Sequence, residues 1–373
     1  MKKNSLIALV VGARPNFVKA SPLIKILNER KIKTLLVHTG QHYDYELSKK
    51  FFHDFSLEKP DIDLEVGSGN HGEQTGKIMI ELEKVFMKIK PSLVVVFGDV
   101  NSTIATALVT SKLYISLAHI EAGLRSFDRT MPEEINRILT DAVADYLFTH
   151  SNDANENLKD EGIDGNRVFL VGNIMIDSLV KYLEIAKERK YFTRFGVEEK
   201  AYWLLTLHRP SNVDIRDKFC DIMTAINFIR KHRPVIFSMH PRTKKMINEF
   251  KLENEFPWFS GGDNFFPITP VGYIDFLSLE VYAEAVLTDS GGMQEETTYL
   301  NIPCLTLREN TERPITIYLG TNTLCRTGKE IIKQAEKILN GRNKKGKIPP
   351  LWDGQTAERI VDILTEKSVK LNE

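Results

Sequence analysis

Residues 93–103 read Leu-Val-Val-Val-Phe-Gly-Asp-Val-Asn-Ser-Thr and residues 115–126 read Ile-Ser-Leu-Ala-His-Ile-Glu-Ala-Gly-Leu-Arg-Ser. Residues 131–137 follow as Met-Pro-Glu-Glu-Ile-Asn-Arg. The first two begin as mainly apolar runs of strand length and stop at Asp99 and Glu121; the third opens a helix with Glu133 and Glu134. Continuous rather than alternating runs suit strands buried on both faces of a parallel sheet. In an open parallel sheet the carboxyl ends of the strands border the ligand crevice. Acids delivered there by separate strands are candidates for proton chemistry on one shared ligand.

The same pattern extends outward. Leu6–Val11, Thr34–His38 and Val168–Val171 are further continuous runs, separated by helical patterns such as Ser21–Arg30 and Glu73–Ile89. This βαβ rhythm calls for a doubly wound α/β domain over residues 1–178. A charged helical stretch, Lys181–Lys200, reads as a connection. The rhythm restarts with Trp203–Leu207, Val235–Met239 and Val286–Thr288, which end in His208, His240 and Asp289. A second domain is expected over 196–354, and a final helix from about Gln355 to Thr365, within 355–373, is expected to cross back to the first. The fold class is therefore α/β, two Rossmann-like doubly wound domains facing a central cleft.

Composition narrows the function classes. In 373 residues, 50 Lys and Arg balance 50 Asp and Glu, so no net field draws the chain to nucleic acid or anionic lipid. Three widely spaced cysteines, Cys220, Cys304 and Cys325, suit a reduced cytoplasmic protein better than a disulfide framework. No run approaches the ~18 apolar residues of a membrane span.

Each candidate site residue has a plain structural alternative. Gly12-Ala13-Arg14-Pro15 closes the first strand, and Lys19 follows one turn on. This is either an anion site at a helix start or an ordinary βα turn with two solvated bases. Asp289-Ser290-Gly291-Gly292 precedes a helix expected at Met293–Leu300, where the Ser290 and Gly291 amides offer a diphosphate cradle. Glu295 and Glu296 then fall in its first turn, where carboxylates favour the helix dipole anyway. Glu296 is alternatively a ligand for two ribose hydroxyls. His208 and His240 are structural or catalytic; two at equivalent strand ends, followed by Arg209 and Arg242, favour function. Asp99 either caps the next helix or acts on a ligand, and Glu133 and Glu134 are either first-turn acids or reactive groups. Glu121 directly follows a strand and precedes a tight turn, and Arg125, Arg129 and Arg137 stand ready to keep these acids ionised.

Two glycine patterns mislead. Gly67-Ser68-Gly69-Asn70-His71-Gly72 matches G-x-G-x-x-G, but Asp61–Val66 before it is a poor buried strand. Thr75-Gly76-Lys77 has Ile78 where a Walker loop needs Ser or Thr. A nicotinamide dehydrogenase or P-loop enzyme is not expected.

Taken in order, the motifs resemble the non-hydrolysing UDP-N-acetylglucosamine 2-epimerases. Besides those quoted, the matching stretches are Thr-Gly-Gln-His-Tyr (39–43), Val-Gly-Asn (171–173), Leu-His-Arg (207–209), His-Pro-Arg-Thr (240–243) and Asn-Thr-Glu-Arg-Pro (310–314). The resemblance implies glycosyltransferase-B architecture, with Asp99, Glu121, Glu133 and His208 as catalytic residues. It implies substrate contacts from Arg14, Lys19, His240, Phe276, Ser290, Gly291, Gly292, Glu296 and Arg313, with Arg137 and Arg209 beside them. Gln41, His42 and Gln74 fall at a second, regulatory substrate position, along with Arg209 and His240. There the chain departs from the bacterial pattern, with Glu73 and Tyr43 where those enzymes carry arginines. A homodimer through first-domain helices and a role in glycan precursor synthesis are also implied.

The chemistry so implied is loss of UDP to a 2-acetamidoglucal, then re-addition with protonation from the opposite face. No metal or nicotinamide cofactor is required. The rivals are a 2-epimerase of a UDP-2,3-diacetamido-uronic acid and a hydrolysing enzyme that releases N-acetylmannosamine. Retention of Thr-Glu-Arg-Pro at 311–314 favours the plain UDP-N-acetylglucosamine substrate.

Overall fold

A computed structural model describes residues 6–41, 59–262 and 264–370, without the side chains of Arg14 and of 367–370. Two compact units emerge. One holds residues up to Lys181 together with those from Pro350 onward; the other spans Tyr182–Pro349. The division falls inside the helix Ile174–Arg189, a single helix where the sequence suggests a charged connection beginning at Lys181.

The first unit contains strands β1 (Leu6–Val11), β2 (Lys33–His38), β3 (Ile62–Asp63), β4 (Leu93–Phe97), β5 (Ser116–Ile120), β6 (Tyr146–Thr149) and β7 (Val168–Leu170). They form one parallel sheet in the order β3-β2-β1-β4-β5-β6-β7. Strand order reverses between β1 and β4, the point where a doubly wound sheet opens a crevice at its carboxyl edge. Every residue of β4 is buried, as its unbroken apolar run requires.

The helix Arg14–Glu29 begins about two turns earlier than the pattern from Ser21 suggests, and it contains Pro22. Proline cannot donate to the carbonyl four residues back. That carbonyl belongs to Val18 and accepts instead from Ser178 Oγ at 2.6 Å, so no buried acceptor is stranded. The helix Thr356–Lys370 packs against Arg14–Glu29 through Ile360, Val361 and Leu364. Its first amides, of Thr356 and Ala357, donate to the Asp177 carboxylate at 3.1 and 2.7 Å.

The second unit contains β8 (Trp203–Thr206), β9 (Val235–Ser238), β10 (Phe265–Ile268), β11 (Ala285–Thr288), β12 (Cys304–Thr306) and β13 (Asn322–Leu324). Its parallel sheet runs β10-β9-β8-β11-β12-β13, with the reversal between β8 and β11. Each unit is thus a doubly wound sheet of the Rossmann type, the fold class expected from the sequence.

Candidate active site

In the first unit, β4 and β5 lie side by side with Phe97 opposite Ile120, so Asp99 and Glu121 leave the sheet at the same edge. Asp99 is not a helix cap: the cap of the next helix, Asn101–Lys112, is Val100, with no side-chain bond. Its Oδ2 instead meets Arg137 Nη2 at 2.5 Å, and the Asp99 side chain keeps 26% of its surface exposed. A buried guanidinium thus faces a reachable carboxylate, which favours the ionised form.

Glu121 is 3% exposed and adopts φ +71, a left-handed backbone that is costly for a residue with a Cβ. Phe148 O holds that turn by accepting from the amides of Glu121 and Ala122, each at 3.1 Å. Lys19 Nζ meets Glu121 Oε2 at 2.5 Å. Strain of this kind persists where the surroundings over-determine it, often at a site of function. Lys19 is therefore engaged by a neighbouring acid, while its sequence context points to an anion.

The turns behind these acids are fixed by contacts that the quoted motifs alone do not reveal. His119, fully buried on β5, bonds Asp141 through Nδ1 at 2.6 Å and the Gly98 carbonyl through Nε2 at 2.8 Å. Asp141 also accepts from the Gly123 amide at 3.0 Å and pairs with Arg125 at 2.7 Å. Burial opposes its charge, but His119 and Arg125 hold its carboxyl below the usual range. Arg125 thus serves Asp141 and Glu161 rather than a catalytic acid. Glu134 accepts from the Ser126 amide and hydroxyl and the Phe127 amide, each at 2.9 Å, which makes it the anchor of that loop. Glu133, half-buried in the first turn of the helix Pro132–Val143, has no hydrogen bond or ion pair among the described residues.

At the end of β1, Asn16 Oδ1 accepts from the Gly12 and Ala13 amides at 3.1 and 3.0 Å, and its Nδ2 donates to Phe97 O. One asparagine therefore ties the two switch-point turns together. A Cβ on Gly12 would collide with Ser102 Oγ, so only glycine fits there. Gln41 accepts from the Ser102 amide and hydroxyl at 3.0 and 2.6 Å. Gln74 donates to Gln41 O and Gly67 O and accepts from Asn101. His42 and the Arg14 side chain lie outside the described residues.

In the second unit, Asp289 at the end of β11 organises the end of β8. Its carboxylate accepts the His208 amide at 3.1 Å, the Arg209 amide at 2.9 Å and Asn212 Nδ2 at 3.1 Å. His208 Nδ1 lies 2.8 Å from it. Burial alone would raise the Asp289 pKa; the His208 ring and these amides outweigh it and bring the carboxyl to about 2. With Nδ1 occupied by a carboxylate, the other ring nitrogen of the 41%-exposed His208 side chain is the one available to a ligand. The His240 ring lies 5.7 Å from that of His208, and its Nδ1 accepts the Arg242 amide at the start of the helix Pro241–Glu249.

The helix after β11 runs Gly291–Tyr299 rather than from Met293, so both glycines are helical and Glu295 and Glu296 fall beyond the first turn. The helix-dipole account of these two acids is thereby corrected. The Ser290 amide donates to Thr288 Oγ1 at 3.0 Å, which leaves Gly291 and Gly292 to open the helix. The Arg313 guanidinium lies against Gly291, where a Cβ would sit 2.5 Å from Nη1. Glu295 and Glu312 grip Arg313 at 2.7 and 2.6 Å, and Arg209 lies 3.6 Å from Glu312. Cationic groups are thus collected at an open helix start. Glu296, 4% exposed, accepts from Tyr273 OH at 2.9 Å, and Phe276 packs on the same helix, Tyr273–Val281.

Comparison with known proteins adds four findings. The family model described as UDP-N-acetylglucosamine 2-epimerase matches residues 25–365. The UDP-N-acetylglucosamine 2-epimerase of Methanocaldococcus jannaschii is 47% identical, with 96% of this chain and 98% of the relative covered. A UDP-2,3-diacetamido-2,3-dideoxy-D-glucuronate 2-epimerase of Pseudomonas aeruginosa is 38% identical over 96% of this chain and 99% of its own length. The crystal structure of the Methanocaldococcus jannaschii enzyme with UDP-GlcNAc and UDP superposes with a TM-score of 0.90 at 46% identity, covering 97% of this chain and 99% of the other.

Proposed function

The chain belongs to the UDP-N-acetylglucosamine 2-epimerase family, and from that premise we propose that it interconverts UDP-N-acetylglucosamine and UDP-N-acetylmannosamine. One observation carries the chemistry: neighbouring strands β4 and β5 deliver Asp99 and Glu121 to one edge, each beside its own cation.

The C2 proton of the sugar is not acidic until the C1–O bond stretches. In the forward step C2–H and C1–O break, the proton goes to a carboxylate, and the C–O electron pair leaves with UDP. The reverse addition protonates C2 from the opposite face. Asp99 and Glu133 take these opposed roles, as a general base and acid close to the carbon. Asp99 is kept ionised by Arg137, whereas Glu133 exchanges protons without a competing partner among the described residues. Glu121, locked by Lys19, positions the sugar. His208, oriented by Asp289, protonates or stabilises the departing phosphate. Arg14, Lys19, Arg209, His240, Arg313 and the Ser290–Gly292 helix start bind the diphosphate, Phe276 the uracil and Glu296 the ribose. Gln41 and Gln74 border the regulatory position, and their contacts with Ser102 and Asn101 couple it to the turn carrying Asp99.

We infer a cytoplasmic homodimer that supplies glycan precursor synthesis. Ile80 and Met87 support the subunit contact alone, since they are 56% and 61% exposed and lie two turns apart on the helix His71–Ile89. Proton NMR in deuterated water with UDP-N-acetylglucosamine tests the function. The expected result is a mixture of two UDP-sugars deuterated at C2. Free N-acetylmannosamine, or no reaction except with a diacetamido-uronic acid, would replace this reading with one of its rivals.

A further inference from the structure

Glu280 is a buried acid without a role in the chemistry above. It sits near the end of the helix Tyr273–Val281, in Leu277-Ser278-Leu279-Glu280-Val281, with no exposed surface. Neither carboxyl oxygen meets a donor among the described residues. Its charged neighbour is another acid, Glu296, whose carboxyl lies within hydrogen-bonding reach. The other titratable groups around the pair are Tyr202, Tyr273, Glu295 and Cys304. None of these is a cation, and the Glu295 charge is taken up by Arg313.

Two ionised carboxylates sealed together would each face the other's lone pairs with no donor between them. One proton removes the conflict, because the protonated acid donates to its neighbour. Geometry chooses the holder of that proton. Glu296 already accepts from Tyr273 OH at 2.9 Å, which favours charge on Glu296, while Glu280 receives nothing. Burial and the Glu296 charge push the Glu280 carboxyl well above the ordinary range. Burial also raises Glu296, to about 7, with Tyr273 and Glu280 pulling the other way.

We propose that Glu280 is a positioning residue: as a neutral acid it hydrogen-bonds Glu296 from the buried side and turns the remaining lone pairs of Glu296 toward the two hydroxyls of a ribose. This rests on the reading that Glu296 binds the ribose of UDP. It adds a consequence for recognition. A charged, doubly supported Glu296 grips a vicinal diol, so UDP binding strengthens as pH rises and Glu296 ionises.

The test is calorimetric titration of the full chain with UDP and with 2′-deoxy-UDP between about pH 5.5 and 8.5. Wild type, Glu280→Gln and Glu280→Leu are compared, with a melting curve for each. In wild type, UDP should bind more tightly than 2′-deoxy-UDP, and only UDP should gain strongly with pH. Glu280→Gln keeps a donor and should keep this profile. Glu280→Leu removes it; the rise should move to higher pH, and UDP affinity at neutrality should fall about tenfold, the scale of one hydrogen bond to a charged group. Loss of discrimination between the nucleotides should accompany that fall. If Glu280→Leu discriminates and titrates as wild type does, or if Gln fares no better than Leu, Glu280 is packing and the inference is wrong. Wild type that shows no preference for UDP over 2′-deoxy-UDP overturns the ribose reading itself, and the inference with it.

Discussion

The first unit gives each strand-end acid a cation, whereas the second unit places Glu280 and Glu296 together with none among the described residues. Asp99 faces Arg137 and Glu121 faces Lys19, and in the helix behind them Asp141 pairs with Arg125 and hydrogen-bonds His119. Where Asp99 and Glu121 leave the sheet, each carboxylate has a cation against it, which favours its charged form. Between the helices Tyr273–Val281 and Gly291–Tyr299, a carboxylate pair retains a proton, which suits gripping hydroxyls rather than abstracting hydrogen. The difference teaches that burial alone does not set the state of an acid; its nearest partner does.

The strongest way to break the comparison is to neutralise the charged side. Asp99→Asn and Glu133→Gln should each lower the rate of C2 deuterium exchange by about 10²–10⁴-fold, the usual scale for a lost general acid or base. UDP affinity should be retained in both. An exchange rate near that of wild type in either variant removes that residue from the chemistry.

A second test separates the charge from its support. Asp141→Asn leaves Arg125 and His119 buried beside a neutral amide, and breaking a buried pair costs about 3–5 kcal/mol. Denaturant midpoints should show that loss. Because His119 also holds the Gly98 carbonyl, exchange should slow even in molecules that remain folded. Unchanged stability would mean that the turn is held by its backbone alone.

How far all this was legible in sequence follows from where each partner lies. The buried strands and their terminal acids are local features, and the runs at 6–11 and 93–97 match the observed strands. Helix starts were less legible. Pro15 and Pro22 share one helix only because Ser178, 156 residues from Pro22, satisfies a freed carbonyl. The roles of Asp289, Asp141 and Asn16 depend on groups on other strands and helices, which no local spacing encodes. Asp289 was in plain view inside a quoted motif yet reads there as part of a phosphate turn. Glu280 is the sharpest case: one acid in an apolar run is a conflict that only the second acid, sixteen residues on, explains.

The smallest effect bears on both kinds of acid through opposite pH signs. Asp289 has a lowered carboxyl, from its ordinary 3.8 to about 2. Its contribution is present above the unfolded value and lost as pH falls through about 2, and it amounts to about 2 kcal/mol. Asp289→Asn should therefore destabilise at neutrality and lose that acid-limb dependence. Glu280 and Glu296 have raised carboxyls, so their native state binds protons that the unfolded chain releases. Their stabilising effect is full below the unfolded glutamate value of about 4.3 and declines as pH rises through the raised folded values. Glu280→Gln should match wild type below about pH 4.3, the unfolded glutamate value, and surpass it at alkaline pH, since Gln never acquires the second charge. Melting temperatures of the two variants across pH would show whether the slopes diverge in this sense. Parallel slopes would mean that Glu280 carries no retained proton, and the contrast between charged and proton-sharing acids would collapse to one of burial.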